Sequence, residues 1–303
     1  RSGRSGRVEV TFWGTRGSIA KAGPTTVRYG GNTSCVSVRS DGGTIVVIDC
    51  GTGAHGLGQH LLAEAGEGPL GGHILVSHTH WDHIQGFPFF APLYQEDRSI
   101  RVYTSPAGEH NKLCSLFDQI DGANFPVHVD DLPSQSECIM ENIESLLADE
   151  DIVVKRASIN HPGGGCAYRI EEDGASCAYI TDNELEPPDR VATSYDQWVA
   201  FSHGADVLIH DAQYLPQDMP HKHGWGHSLV SQVRQLAVDA EVGCLVMFHH
   251  DPDRSDAEID FIQRENEHFF RGRRAPSISL CAAEGMVIRL SPQSGSNTVI
   301  DVS

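Results

Sequence analysis

The stretch SHTHWDHIQG, residues 77–86, sets His78, His80, Asp82 and His83 within six consecutive positions. Imidazole nitrogens and a carboxylate oxygen at that density form a ligand set for borderline divalent cations. In an extended segment residues i and i+2 point the same way, so His78 and His80 can grip one ion. Asp82 and His83 follow as the chain bends into a helix, and they face a second point nearby. This cluster alone supplies four ligands, too few for two ions, so further donors must come from elsewhere. Three candidates each cap an apolar, strand-like run: His161 after VVKRASIN, Asp182 after SCAYIT and His249 after CLVMF. Two borderline cations held by N and O donors fit this pattern.

The elements that must position these donors read as two strand-rich halves. Residues 8–13 (VEVTFW), 34–40 (SCVSVRS) and 44–49 (TIVVID) are β-branched runs bounded by Gly, Asn and Asp. A helix is expected over 54–65, then strands at 73–77 and 99–104. The second half repeats the style at 152–160, 166–172 and 176–181, with EDGA as a hairpin turn. Short buried strands follow at 205–210 and 244–250. Between them Leu229, Val233, Leu236 and Ala240 lie on one helical face. Ser255 and Glu258 form a capping-box pattern. SISL and GMVIRL close the chain. The pattern predicts one domain over 8–303 with an irregular insertion near 105–150. Residues 1–7, RSGRSGR, read as a flexible polar tail, of cloning origin if not native, and not as a signal peptide.

Composition narrows the partners. The 303 residues carry 22 basic and 41 acidic side chains, a net charge of −19. Nucleic acid needs a basic track, so a long polyanion is an unexpected partner, whereas a small anion can bind where cations reverse the local field. No apolar run approaches the roughly 20 residues that span a bilayer. The eight cysteines are scattered, and Cys35, Cys166, Cys177 and Cys244 read as small buried hydrophobes, which fits a reducing cytoplasm.

SHTHWDHIQG matches the HxHxDH motif of the metallo-β-lactamase superfamily, and the later His, Asp and His fall in that family's order. The likeness runs from about Val8 to about Leu290. WGTRGS, GGNTS, HPGGG, YITDNE, HDAQY, GWGHS and FHHDP resemble the branch of tRNase Z and the small phosphodiesterases, cyclic-nucleotide phosphodiesterases among them. The resemblance implies a four-layer αββα sandwich, α/β in class, with two metal ions at one edge. His78, His80 and His161 would hold one ion. Asp82, His83 and His249 would hold the other, and Asp182 would bridge where the β-lactamases themselves carry Cys. His249 fits the family pattern better than His250. Zn²⁺ suits the imidazoles, with Mn²⁺ the alternative.

The resemblance also implies a proton donor for the leaving oxygen. His227 in GWGHS would be the general acid and Asp211 in HDAQ its orienter, although the branch commonly has HEA where this chain has HDA, a shorter arm. His227 as a plain helix-capping residue is the alternative. Asp82 would also accept a hydrogen bond from the nucleophile. Gly163 and Gly164 could offer N–H groups to a phosphate or only close a turn around His161. Asn32 and Thr33 could floor the metal site or close a turn. Trp225, Phe87 and Phe89 could stack on a base or pack locally. The charge favours a small phosphodiester, a 3′,5′-cyclic nucleotide foremost, over tRNase Z-like RNA 3′-processing. A lactonase or thioesterase and a non-catalytic metal-dependent sensor are the readings from other classes. A homodimer is an open possibility.

Overall fold

A computed structural model describes residues 7–66, 68–104, 116–139, 147, 151–293 and 298–303. Two sheets carry the fold. The first has the order β14–β13–β1–β2–β3–β4–β5–β6 and the second β12–β11–β10–β9–β8–β7. The strands of the first are β1 (Val8–Gly14), β2 (Cys35–Arg39), β3 (Ile45–Ile48), β4 (Leu70–Val76), β5 (Arg98–Thr104), β6 (Gln135–Ile139), β13 (Val287–Pro292) and β14 (Thr298–Val302). Those of the second are β7 (Val153–Ser158), β8 (Cys166–Glu172), β9 (Ala175–Ile180), β10 (Val207–Asp211), β11 (Cys244–Phe248) and β12 (Ile278–Cys281).

Side chains alternate across a strand, so a strand covered on both faces must be apolar throughout. β11 meets that condition. Cys244, Val246 and Phe248 face the core between the sheets, while Leu245 and Met247 face a second core. β9 does the same, with Cys177 and Tyr179 inward and Ala178 and Ile180 outward. The outer core is closed by helices α3 (Tyr195–Ser202), α4 (Val230–Asp239) and α5 (Asp256–Phe270), through Trp198, Val233, Leu236, Ile259 and Ile262. On the far side of the first sheet, α1 (Ala54–Ala65) buries Leu57 and Leu61 against Ile74, Val76 and Val102. Helix, sheet, sheet and helix make the expected four-layer sandwich.

Three differences from the sequence reading stand out. Ser194 and Gln197 form a capping box that opens α3, a helix the reading passed over. Within the span expected to be irregular, β6 pairs in parallel with β5, Tyr103 opposite Ile139; residues 105–115, 140–146 and 148–150 of that span lie outside the described residues, as do residues 1–6 of the tail. Cys138 is disulfide-bonded, unlike Cys35, Cys50, Cys166, Cys177, Cys244 and Cys281, which are free and buried. Among the described residues no helix is long and apolar enough to cross a membrane.

The parallel arrangement sets up the site. β3, β4 and β5 run in parallel, as do β9, β10, β11 and β12. Parallel strands bring their carboxyl ends to one edge, where side chains on the following loops converge. The two sheets are tied there: Tyr168 donates its hydroxyl to Val76 O at 2.7 Å, and Cys166 N donates to Ser77 O at 2.9 Å.

Candidate metal centre and active site

Five strand ends deliver the side chains. His78, His80 and the short helix α2 (Trp81–Ile84) follow β4, His161 follows β7, Asp182 follows β9, Asp211 ends β10, and His249 follows β11. Three donor groups result among the described residues, one of His78, His80, His161 and Asp182, a second of Asp82, His83, Asp182 and His249, and a third of Asp211, His227 and His249, with donor atoms within 4.8 Å of one another in each. Asp182 belongs to the first two. Its Oδ2 lies 3.6 Å from His78 Nε2 and 3.7 Å from His161 Nε2. Its Oδ1 lies 3.2 Å from His83 Nε2 and 3.1 Å from His249 Nε2. Asp82 Oδ2 closes the second group, 3.3 Å from His83 Nε2 and 3.2 Å from His249 Nε2.

The imidazoles are held as ligands need to be. Asp49 accepts from Ser77 N at 2.7 Å, Ser77 Oγ at 2.7 Å, His83 Nδ1 at 2.8 Å and Tyr179 OH at 2.9 Å. With the Ser77 hydroxyl proton given to Asp49, Ser77 Oγ accepts from His78 Nδ1 at 3.1 Å. His161 Nδ1 donates to Gly226 O at 3.0 Å, and His249 Nδ1 donates to Gln213 Oε1 at 2.8 Å. A proton fixed on Nδ1 leaves the Nε2 lone pair free, the arrangement typical of metal-bound histidine. His80 turns the other nitrogen: its Nδ1 lies 3.1 Å from His161 Nε2.

The cluster fits cations. His78 Nε2 and His83 Nε2 are buried without a hydrogen-bond partner, a costly condition unless something else satisfies them. Tetrahedral donors with bonds of about 2.0–2.1 Å to one ion stand roughly 3.3 Å apart. Separations of 3.1 to 3.7 Å around Asp182 agree with that. Burial would raise the Asp182 carboxyl, but His249, His83 and His78 hold it well below the usual carboxylate range. Asp82 is likewise held low against its burial, by His83 and by hydrogen bonds from His249 and His83. Burial drives His78 well down and His161 to about 4, so these two imidazoles stay neutral at pH 7, whereas the carboxylates of Asp182, Asp82 and Asp49 hold His83 well above its ordinary value against its burial.

The backbone is strained at the same place. Asp49, Asp182 and His249 adopt left-handed φ values of 62°, 48° and 58°. Non-glycine residues are rare there, and several around one cluster point to function. Gly226 sits at φ 86°, and a Cβ there would stand 2.1 Å from His161 Nδ1. Arg16, fully buried, donates to the carbonyls of Gly30, Asp251 and Arg254 and so pins the loop after His249. Asp49, Ser77, Gln213 and Arg16 were given no role in the sequence reading, although Asp49 caps the apolar run TIVVI and the others lie within SHTHWDHIQG, HDAQY and WGTRGS.

Beside the cluster, His227 Nδ1 donates to Asp211 Oδ2 at 2.7 Å. The His227 ring stacks on His249, with centroids 5.1 Å apart, and stands edge-on to His161 at 5.2 Å. Burial opposes protonation of His227, but the Asp211 charge and hydrogen bond raise it to about 9. His250 faces away: its Nε2 donates to Ala282 O at 2.9 Å. Thr33 is fully buried and exchanges hydrogen bonds with Thr52, so it ties the floor together, one of the two roles expected of it. Asn32 gives its backbone and side-chain N–H groups to Glu284. Phe87 is buried, whereas Phe89 and Trp225 are exposed. Gly163 and Gly164 line a cleft that begins at His161.

This fold and this donor set define a superfamily. The chain belongs to the β-lactamase superfamily, whose domain model, described as "Beta-lactamase superfamily domain", matches residues 44–250, and it is a metal-dependent hydrolase. The superfamily works with divalent metal ions. Among its relatives, the chain is 30% identical to Ribonuclease Z of Haloarcula marismortui over 284 residues, 80% of this chain and 86% of that protein. It is 25% identical to Ribonuclease Z of Natronomonas pharaonis, over 88% of this chain and 94% of that protein. In three dimensions it resembles the metallo-β-lactamase fold protein YhfI from Bacillus subtilis, with a TM-score of 0.67, 19% identity and coverage of 93% of this chain and 99% of that one.

These relatives correct the expectation that a nucleic acid polymer is an unlikely partner and a small phosphodiester the likelier one. Enzymes named for acting on RNA match most of the chain. The error is physical: net charge is a property of the whole surface, whereas substrate meets the local field of a cation site.

Proposed function

We propose that the chain is a ribonuclease Z-like endonuclease that hydrolyses a phosphodiester of RNA during 3′-end processing. The observation that carries this reading is the juxtaposition of two donor groups sharing Asp182 with the His227–Asp211 pair stacked against them. His78, His80 and His161 would hold one ion, Asp82, His83 and His249 the other, and Asp182 both. Zn²⁺ suits this imidazole-rich set best, with Mn²⁺ the alternative. When bound, such ions lower the pKa of water towards neutrality and neutralise the phosphoryl oxygens.

The rest falls to the chain's own side chains. Asp211 keeps the His227 proton count high and fixes the ring by its Nδ1. His227 then holds a proton on Nε2 at neutral pH and gives it to the leaving ribose oxygen. Asp82 takes a backbone hydrogen bond from Ser18 N at 2.7 Å, which fixes its carboxylate in the cluster. Acyl-ester hydrolysis has no need of such a proton donor for a good leaving group, and that favours phosphodiester chemistry.

The test is hydrolysis by one metal-loaded preparation of a tRNA precursor with a 3′ trailer, of cyclic AMP, and of an aryl acyl ester. The expected result is endonucleolytic cleavage of the RNA at the trailer junction. Turnover of the acyl ester alone would overturn the reading.

A further inference from the structure

A cleft of about 850 Å³ opens beside His161. Three loops wall it: 158–165, 184–192 and the glycines on either side of Trp225. Two buried polar side chains hold these walls together. Asn160 donates Nδ2 to Glu184 O at 3.0 Å and Thr193 O at 2.8 Å, and its Oδ1 accepts from Ala192 N at 2.7 Å and Thr193 N at 3.1 Å. The Glu184 carboxylate accepts from Gly224 N at 2.9 Å and Gly226 N at 3.0 Å. Gly226 O in turn receives the His161 Nδ1 proton, so the cleft and a metal-centre imidazole share one hydrogen-bonded frame. A cavity braced this way is formed before its ligand arrives, which saves the ordering cost of binding.

The walls say what fits. Pro187, Pro188 and the Gly163–Gly164 backbone offer flat, uncharged surface. The charged groups among the lining residues are Glu184 and Asp189 against Arg190, so a bare anion gains little, and the Glu184 oxygens are already engaged by the two glycine N–H groups. A planar heterocycle carrying a single phosphate within reach of Arg190 matches this balance. The near end of the cleft adjoins the donors: a Cβ on Gly163 would stand 3.8 Å from His80 Nε2.

We propose that this cleft is a nucleotide subsite that takes one nucleotide flanking the scissile phosphate, its base against Pro187 and Pro188 and its outer phosphate on Arg190. The inference rests on the RNA phosphodiester reading above. It also identifies Ala192 and Arg190 as specificity-determining positions.

The test is equilibrium binding of AMP, CMP, adenosine and cytidine to the metal-loaded protein, by ligand-observed NMR and calorimetry. Ala192 is exposed, so Ala192→Trp fills the cleft without entering a core. The expected result is that wild type binds all four and Ala192→Trp weakens each at least about tenfold, which is about 1.4 kcal/mol. Arg190→Ala weakens the monophosphates several-fold and leaves the nucleosides unaffected, a contrast that misfolding cannot produce. Failure of wild type to bind nucleosides, or equal binding by wild type and Ala192→Trp, would overturn the subsite. Absence of RNA cleavage by a wild type that hydrolyses bis-p-nitrophenyl phosphate would instead remove the RNA reading, and the binding data would still decide what the cleft holds.

Discussion

His227 and Asp211 form a buried dyad, Nδ1 to Oδ2 at 2.7 Å, whose imidazole stacks on His249 of the metal centre. The Asp211 charge is what lifts His227 to about 9 in spite of burial. A group that must donate a proton works while protonated, so activity falls as pH rises through its pKa. Removing the Asp211 charge lowers that pKa and shifts the alkaline limb of the profile to lower pH. The expected outcome for Asp211→Asn is this acidward shift in kcat against pH on RNA. His227→Ala costs about 10²- to 10⁴-fold in kcat on RNA, the usual worth of a general acid, and far less on bis-p-nitrophenyl phosphate, whose leaving group needs no proton. An unmoved alkaline limb in Asp211→Asn would contradict the assignment.

Asp49 lies behind the centre, not in it. It receives four hydrogen bonds, one of them from His83 Nδ1. Asp49→Asn leaves a donor facing a donor and frees the His83 ring. Partners of this kind typically govern metal affinity by about 10- to 100-fold. Chelator competition on wild type and Asp49→Asn is expected to show a loss of that size, with the overall fold unchanged by circular dichroism. Equal affinities would mean that Asp49 serves the sheets and not the centre.

Much of this was legible in the sequence, and the reason is chemical. His78, His80, Asp82 and His83 sit close in sequence, so their spacing speaks for itself. His161, Asp182 and His249 lie far apart, yet each ends an apolar strand. Gln213 carried no such mark: its bond to His249 depends on two neighbouring strands ending together. The bond between Asp49 and Tyr179 spans 130 residues and both sheets. Glu184 was opaque for the same reason, since its partners are backbone N–H groups of a distant glycine loop. The net charge misled, because it sums a surface from which the substrate samples one edge.

His250, next to the centre but turned from it, gives the fold an acid-sensitive point. Burial pushes it from 6.5 to about 3. Between those values the unfolded chain holds a proton that the folded chain lacks, so stability falls as pH falls below about 6.5. Each pH unit in that window costs about 1.4 kcal/mol. His250→Gln keeps a donor for Ala282 O but does not titrate. Urea midpoints at pH 7.5 and pH 5 are expected to show wild type losing roughly 2 kcal/mol more than the variant. Parallel losses would show that His250 titrates normally in the folded protein.

In the function proposed above, Asp182 joins two divalent ions into one catalytic centre. Elemental analysis of protein purified without chelator tests it most directly, paired with the same analysis of Asp182→Ala. The expected result is about two divalent ions per wild-type chain and fewer than about one in the variant, with RNA cleavage lost alongside. Wild type holding one ion or none while fully active, or Asp182→Ala retaining two, would contradict it.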